Sequence, residues 1–137
     1  MDFLLFGEIV PIFKAPLWPY FLYNDYKERK IKEEIIRVNK SIYLFMEARR
    51  ALYNRCPDDA QDKLILALKY AYETDTNTIR ERYPELAEEI ERDYIPALEK
   101  YIDVLSGIAE AENLSKADEK LIRFLNFYRN VITKDPL

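Results

Sequence analysis

The sequence predicts an all-α protein: an elongated antiparallel bundle of about four helices, two long and two short, behind an irregular apolar N-terminal arm. Three observations predict it. Apolar residues recur at steps of three and four through most of the chain after residue 24, as on amphipathic helices. No stretch alternates apolar and polar residues in the manner of a half-buried strand. Glycine, the residue of hairpin turns and bulges, occurs only twice in 137 residues. That length suits one domain with a sizeable core. The division expected is an arm over residues 1–24 and a bundle over 25–137.

The arm holds Phe3, Leu4, Leu5, Phe6, Ile9, Val10, Ile12, Phe13, Leu17, Trp18, Phe21 and Leu22, together with Pro11, Pro16 and Pro19. A membrane-spanning helix needs about 20 predominantly apolar residues. Glu8 and Lys14 interrupt this stretch, and three prolines break a helix at this depth. Asp2 stands where a signal peptide carries basic residues. The arm therefore reads as an apolar, irregular segment with one short helix at 2–10.

From Asp25, a candidate N-cap with Glu28 completing a loose capping box, the pattern is helical. Ile31, Ile35, Val38, Ile42, Phe45, Arg49, Leu52 and Cys56 form a heptad seam broken only by Arg49. Pro57 ends this helix, which runs for ~30 residues or ~45 Å. Asp58 or Asp59 caps a second, shorter helix whose inner face is Ala60, Leu64, Ala67, Leu68, Ala71 and Tyr72, with Ile65 beside them. Thr74–Thr78 is the turn.

The third helix is long, about 77–112. Ile79, Tyr83, Leu86, Ile90, Tyr94, Leu98, Tyr101, Leu105 and Ile108 mark its inner face. An extra step of four around Tyr94 is a stutter, which locally unwinds a supercoil. Pro84 and Pro96 each remove a backbone donor and bend or break the helix; Pro84 also suits the start of a new one after a turn at Tyr83. Ser115, with Asp118 three residues on, caps the last helix. Its stripe is Leu121, Leu125, Tyr128 and Ile132, flanked by Ile122, Phe124 and Val131. Because the second helix is short, half of the first helix's seam needs another cover, either the arm or a second copy of the chain.

Composition narrows the function. The chain has no histidine, which excludes a Ser-His-Asp triad and His-ligated zinc or haem. Two glycines cannot form a dinucleotide-binding fingerprint or a P-loop. One cysteine excludes an internal disulfide and a Cys-rich metal site. No cofactor and no metal is implied, and an enzyme is the least favoured class. The lone thiol, read as a small buried hydrophobe, and the lack of a signal-peptide pattern point to a cytoplasmic protein. A single Gln beside abundant Glu, Lys, Arg and Ile leans toward a thermophilic source. The net charge is −4. Residues 1–56 carry ten Lys and Arg against seven Asp and Glu, and residues 57–137 carry eleven against eighteen.

Four clusters were weighed for chemistry. The acidic run Glu85, Glu88, Glu89, Glu91 and Asp93 has half of a di-iron spacing but lacks the histidines, so it reads as a solvated face. Lys27, Arg29, Lys30, Lys32, Arg37 and Lys40 lie near Tyr20, Tyr23 and Tyr26, a pattern suited to anionic lipid or nucleic acid; interleaved acids favour intrahelical pairing instead. The tyrosines read as packing residues. Arg49, in a seam position, needs a carboxylate partner, expected from the third helix, or else marks an anion site together with Lys27, Lys30 and Arg37. Nine residues, Asp93-Tyr-Ile-Pro-Ala-Leu-Glu-Lys-Tyr101, resemble the Tyr-Leu-Pro…Lys-Tyr helix of XpaC-type bacterial proteins, and no function is carried over from so short a segment.

The expected function is a non-enzymatic helical interaction or assembly protein, self-associating through Phe3, Phe6, Ile9, Ile12, Phe13, Leu17, Trp18 and Phe21 and the open end of the helix-one seam. A homo-oligomer or another protein is the expected partner. The second expectation is a peripheral membrane protein anchored in the interface by the arm. The third is a nucleic-acid-binding accessory subunit using the basic face of helix one, disfavoured by the acidic balance.

Overall fold

The computed structural model describes residues 18–137, with side chains from Tyr23 onward. The described residues form an all-helical bundle with no strand. In order, the elements are α1 (Trp18–Tyr53), α2 (Pro57–Glu73), α3 (Thr76–Arg80), α4 (Pro84–Glu89), a π-helical turn (Ile90–Tyr94), α5 (Ile95–Leu105) and α6 (Glu112–Lys134).

Helix α1 is longer than its seam predicts. It starts at Trp18, so the expected cap Asp25 lies inside the helix and pairs with Arg29 at 3.4 Å. Its 36 residues span ~54 Å. The helix therefore runs without a break through residue 24, where the arm was expected to end.

At its C-terminus Arg55 takes a left-handed conformation with φ 62°. The Cys56 N–H bonds to the Ala51 carbonyl at 2.8 Å and the Arg55 N–H to that of Leu52 at 3.0 Å. This is a Schellman motif, and it satisfies carbonyls that the helix end would otherwise strand. Pro57 then opens α2 as its first residue, where its missing N–H costs nothing. Asp58 and Asp59 sit in the first turn, opposite the positive end of the helix dipole.

The three-residue connection turns α2 back along α1. Glu34 near the beginning of the pair accepts a hydrogen bond from the Asp75 N–H at 2.8 Å, and Ser41 donates to the Ala67 carbonyl at 2.7 Å. Small residues allow the close approach: Ser41 and Ala48 on α1, and Ala60, Ala67 and Ala71 on α2, are all buried. Leu64 fills the space between them. The inner face of α2 is narrower than expected, because Ile65 and Tyr72 are exposed.

The expected single third helix is segmented. Asp75 caps α3, its carboxylate accepting from the N–H groups of Asn77 at 3.1 Å and Thr78 at 3.3 Å. Tyr83 breaks the chain and Pro84 starts α4. The stutter at Tyr94 is a π turn, closed by the Ile95 N–H on the Ile90 carbonyl. Pro96 follows at once. A proline ring in a regular α-helix collides with the carbonyl four residues back, and a wider turn before it relieves that collision. Helix α5 stops at Leu105 in a second Schellman motif, with Gly107 at φ 80° and the Ile108 N–H on the Asp103 carbonyl at 2.9 Å. Ile108, expected on the inner face, is therefore 78% exposed.

Helix α6 begins at Glu112 rather than at a Ser115 cap. It folds back on the third segment: Tyr101 bonds to Asp118, Tyr94 stacks on Phe124 with centroids 4.4 Å apart, and the Tyr83 hydroxyl donates to the Asp135 carbonyl. The core lies where α1, α2, α5 and α6 meet. Phe45 packs edge-on against Tyr101 at 5.8 Å, and Val38, Leu64, Leu98 and Leu121 complete it.

Within this core the cover of the α1 seam is intramolecular from Ile31 onward. Ile31, Ile35 and Val38 are buried, and Ile79, Tyr83 and Tyr128 belong to the same cluster. Earlier in α1, Tyr23 and Tyr26 are exposed.

Candidate interaction surface

Of the expected contact residues, Phe3, Phe6, Ile9, Ile12, Phe13 and Leu17 lie outside the described residues. Trp18 and Phe21 fall in the first turns of α1, and their side chains also lie outside the described set. The surface that is described begins further along α1.

Ile36 and Tyr43 stand seven residues apart, two turns along one face of the helix. Ile36 is 47% exposed and Tyr43 64%. Leu66 on α2, 45% exposed, comes alongside them. Together with Leu44 and Tyr70 they line a groove of about 420 Å³ between α1 and α2. Lys40 lies in this groove with its ammonium 5.7 Å from the Tyr70 ring, within range of a cation–π contact. The Tyr43 hydroxyl donates to Glu47 at 3.2 Å, so its polar tip is partnered while its ring stays open. Met46, Tyr53 and Ile65 are further exposed apolar side chains on the same hairpin. Contiguous apolar surface of this kind is where soluble domains meet partners. The core period in the sequence does not mark this face, because Asn39 and Lys40 dilute its outer stripe.

Arg49 does meet a carboxylate, but from α6 and not from the third segment. Its Nε and Nη2 donate to the two oxygens of Asp118 at 2.8 and 3.2 Å, a bidentate pair. The Tyr101 hydroxyl adds a third bond to Asp118 at 3.1 Å. The pair ties the C-terminal half of α1 to the start of α6. Asp118 was assigned to a capping box, and its real partner is 69 residues away in sequence. The guanidinium is held more firmly protonated, first by the Asp118 hydrogen bond. A shallow depression of about 720 Å³ opens over this pair, walled by Met46, Leu52, Tyr53 and Leu114.

The other basic residues are also engaged. Lys27 pairs with Glu81 at 2.8 Å, Lys30 with Glu33 at 3.9 Å and Arg37 with the buried Glu34. The structure thus separates Lys27, Lys30 and Arg37 from Arg49 instead of joining them in one anion site. Within the acidic run Glu88 and Glu91 bind Arg80 at 3.4 and 2.8 Å, and Arg92 pairs with Glu89 at 3.5 Å and Asp93 at 3.6 Å. Glu91 is held below the usual carboxylate range by its bonds from Thr76 and Arg80. The Glu89 carboxyl is raised by the neighbouring Asp93 carboxylate and by burial. Among the described residues no group of three or more His, Cys, Asp or Glu is arranged to hold a metal ion.

Four tyrosines of the inner stripes, Tyr83, Tyr94, Tyr101 and Tyr128, are buried, as their packing role requires. Burial raises the hydroxyl pKa of each. Cys56, expected inside, is exposed at the end of α1, because the Schellman turn carries it off the inner face. Among the described residues no helix is long and apolar enough to cross a membrane.

The fold and surface define an all-helical bundle protein with an apolar face on its first hairpin. Comparison with protein-family models, with curated proteins and with solved structures finds no match to the chain.

Proposed function

We propose that this chain is a helical assembly protein that binds copies of itself, and that its N-terminal arm is one half of the contact. The observation that carries the reading is the open apolar face of the α1–α2 hairpin, where Ile36, Tyr43 and Leu66 stand close to half exposed or more. Burying side chains of this size contributes roughly 1.5–3 kcal/mol each. That is enough to favour association once a complementary apolar segment is supplied. The pairing of Lys27, Lys30 and Arg37 with acids supports the same reading, since it reduces the positive charge this face offers a nucleic-acid backbone.

The test is solution mass by light scattering, on the full chain and on a chain lacking residues 1–17. The truncation point leaves α1 whole, since that helix begins at Trp18. A mass above one chain that falls on truncation supports the proposal. A full chain that is monomeric at high concentration overturns it. So does arm-dependent sedimentation with anionic vesicles by a monomeric chain, which would give the arm to a lipid surface instead.

A further inference from the structure

We infer that the receptor for the arm is the α1–α2 groove of a second copy, so that residues 3–13 of one chain lie against Ile36, Tyr43, Leu44 and Leu66 of its neighbour. This rests on the self-association proposed above and names the site and its occupant.

Length and direction argue for a neighbour's groove. Among the α1 residues whose side chains are described, from Tyr23 onward, the first buried one is Ile31, thirteen residues after the helix begins. Ile31 lies ~20 Å along the helix from Trp18. Ile36 and Tyr43 lie ~27 and ~38 Å from that start. Even fully extended at ~3.6 Å per residue, Phe13 and Ile12 reach at most ~18–22 Å from Trp18 and fall short of their own Ile36. The groove of a second copy is not subject to that limit.

Chemistry argues for this segment. Between residues 3 and 13 stand Phe3, Leu4, Leu5, Phe6, Ile9, Val10, Ile12 and Phe13, an apolar set dense enough to fill an apolar groove. The charged groups in residues 1–13 are Asp2 and Glu8, both acidic. The cation in the groove is Lys40. An acid in the middle of the segment thus meets a lysine in the middle of the groove, which orients the segment as it docks. Glu47, at the Tyr43 end, is already occupied by Tyr43 and by Arg50 at 3.1 Å. Because each copy offers one arm and one groove, two copies can exchange arms symmetrically and close as a dimer.

The experiment uses the full chain. Tyr43→Asp and Leu66→Asp each place a carboxylate in the groove at an exposed position, so both variants should fold, as far-UV circular dichroism and melting will verify. Each is expected to weaken self-association about tenfold or more by light scattering. In a Cys56→Ser background, Phe6→Cys is then mixed with Leu66→Cys and treated with a short bis-maleimide. A covalent dimer formed from the mixture supports the inference. A full chain that oligomerises, resists both Asp variants and gives no mixed crosslink overturns the groove while leaving self-association standing. A crosslink found only within a chain carrying both cysteines assigns the arm to its own groove and overturns the exchange. A monomeric full chain removes both proposals.

Discussion

The hydrogen-bond chain at the centre of the bundle gives a quantitative test of how its core is held. Ser41 is 0% exposed and Tyr94 1%. The Ser41 hydroxyl lies 2.7 Å from the Ala67 carbonyl and 2.7 Å from the Tyr94 hydroxyl. A carbonyl cannot donate, so Ser41 gives its one proton to Ala67 and must accept from Tyr94. Ser41→Ala removes the acceptor and leaves the Tyr94 O–H buried without a partner, which costs about 2 kcal/mol. Tyr94→Phe removes the donor but leaves Ser41 bonded to Ala67, which costs about 1 kcal/mol. The double variant strands no donor, and the Ala67 carbonyl keeps its place in the α2 ladder. Its loss should fall about 1–2 kcal/mol short of the two single losses combined. The assay is urea unfolding followed by far-UV ellipticity, with melting expected to move by about 4 °C per kcal/mol for a chain of this size. Losses that add to within about 0.5 kcal/mol, or a Ser41→Ala variant no weaker than Tyr94→Phe, would refute the directed chain.

Two further outcomes follow from the same coordinates. Burial raises the pKa of Tyr94, Tyr101 and Tyr128, whereas an unfolded tyrosine ionises near pH 10. Their contribution is fully present below about pH 10 and is lost as pH climbs above it, because the unfolded chain then releases protons that the fold retains. The slope is at most about 4 kcal/mol per pH unit for three tyrosines, and urea unfolding across alkaline pH should show it. A flat profile there would mean that these hydroxyls ionise within the fold. The two Schellman turns make opposite predictions: Arg55→Gly should stabilise by about 0.5–1 kcal/mol, since φ 62° strains an L side chain, and Gly107→Ala at φ 80° should destabilise by about 1 kcal/mol. A Cβ on Gly107 meets nothing within 4 Å, so its loss would be backbone strain alone, and an unchanged melting temperature would contradict it.

Local rules were legible where one residue type has one strong consequence. Pro57 and Pro84 begin helices because a first-turn proline gives up no bond, and both positions could be read without coordinates. The four-residue step at Tyr94 is visible as a break in period, and it becomes the π turn. What could not be read was which residues would face each other. The α1 seam holds at Ile31, Ile35, Val38 and Phe45, and is off by one at Ile42, Arg49 and Leu52, where Ser41, Ala48 and Ala51 are the buried residues. The buried positions of α1 also include Glu34, Ser41 and Ala48. A count of apolar residues passes over all three, since one is charged, one polar and one small. Their burial follows from the neighbours: α2 needs Ser41 and Ala48 to be small, and the Asp75 N–H and Arg37 supply the partners Glu34 needs.

The same shift explains the candidate surface. Once the core takes Ser41 and Phe45, the helix turns Ile36 and Tyr43 outward, and a hydrophobic pair that hydropathy alone assigns to no face becomes half of a groove. The groove needs Leu66 and Tyr70 as well, and their register against α1 is set by the Ser41–Ala67 bond one turn away. Deep polar contact and outer apolar face are therefore one arrangement. A substitution at Ser41 that lets α2 slide should weaken self-association as well as stability, although Ser41 is wholly buried and touches no partner.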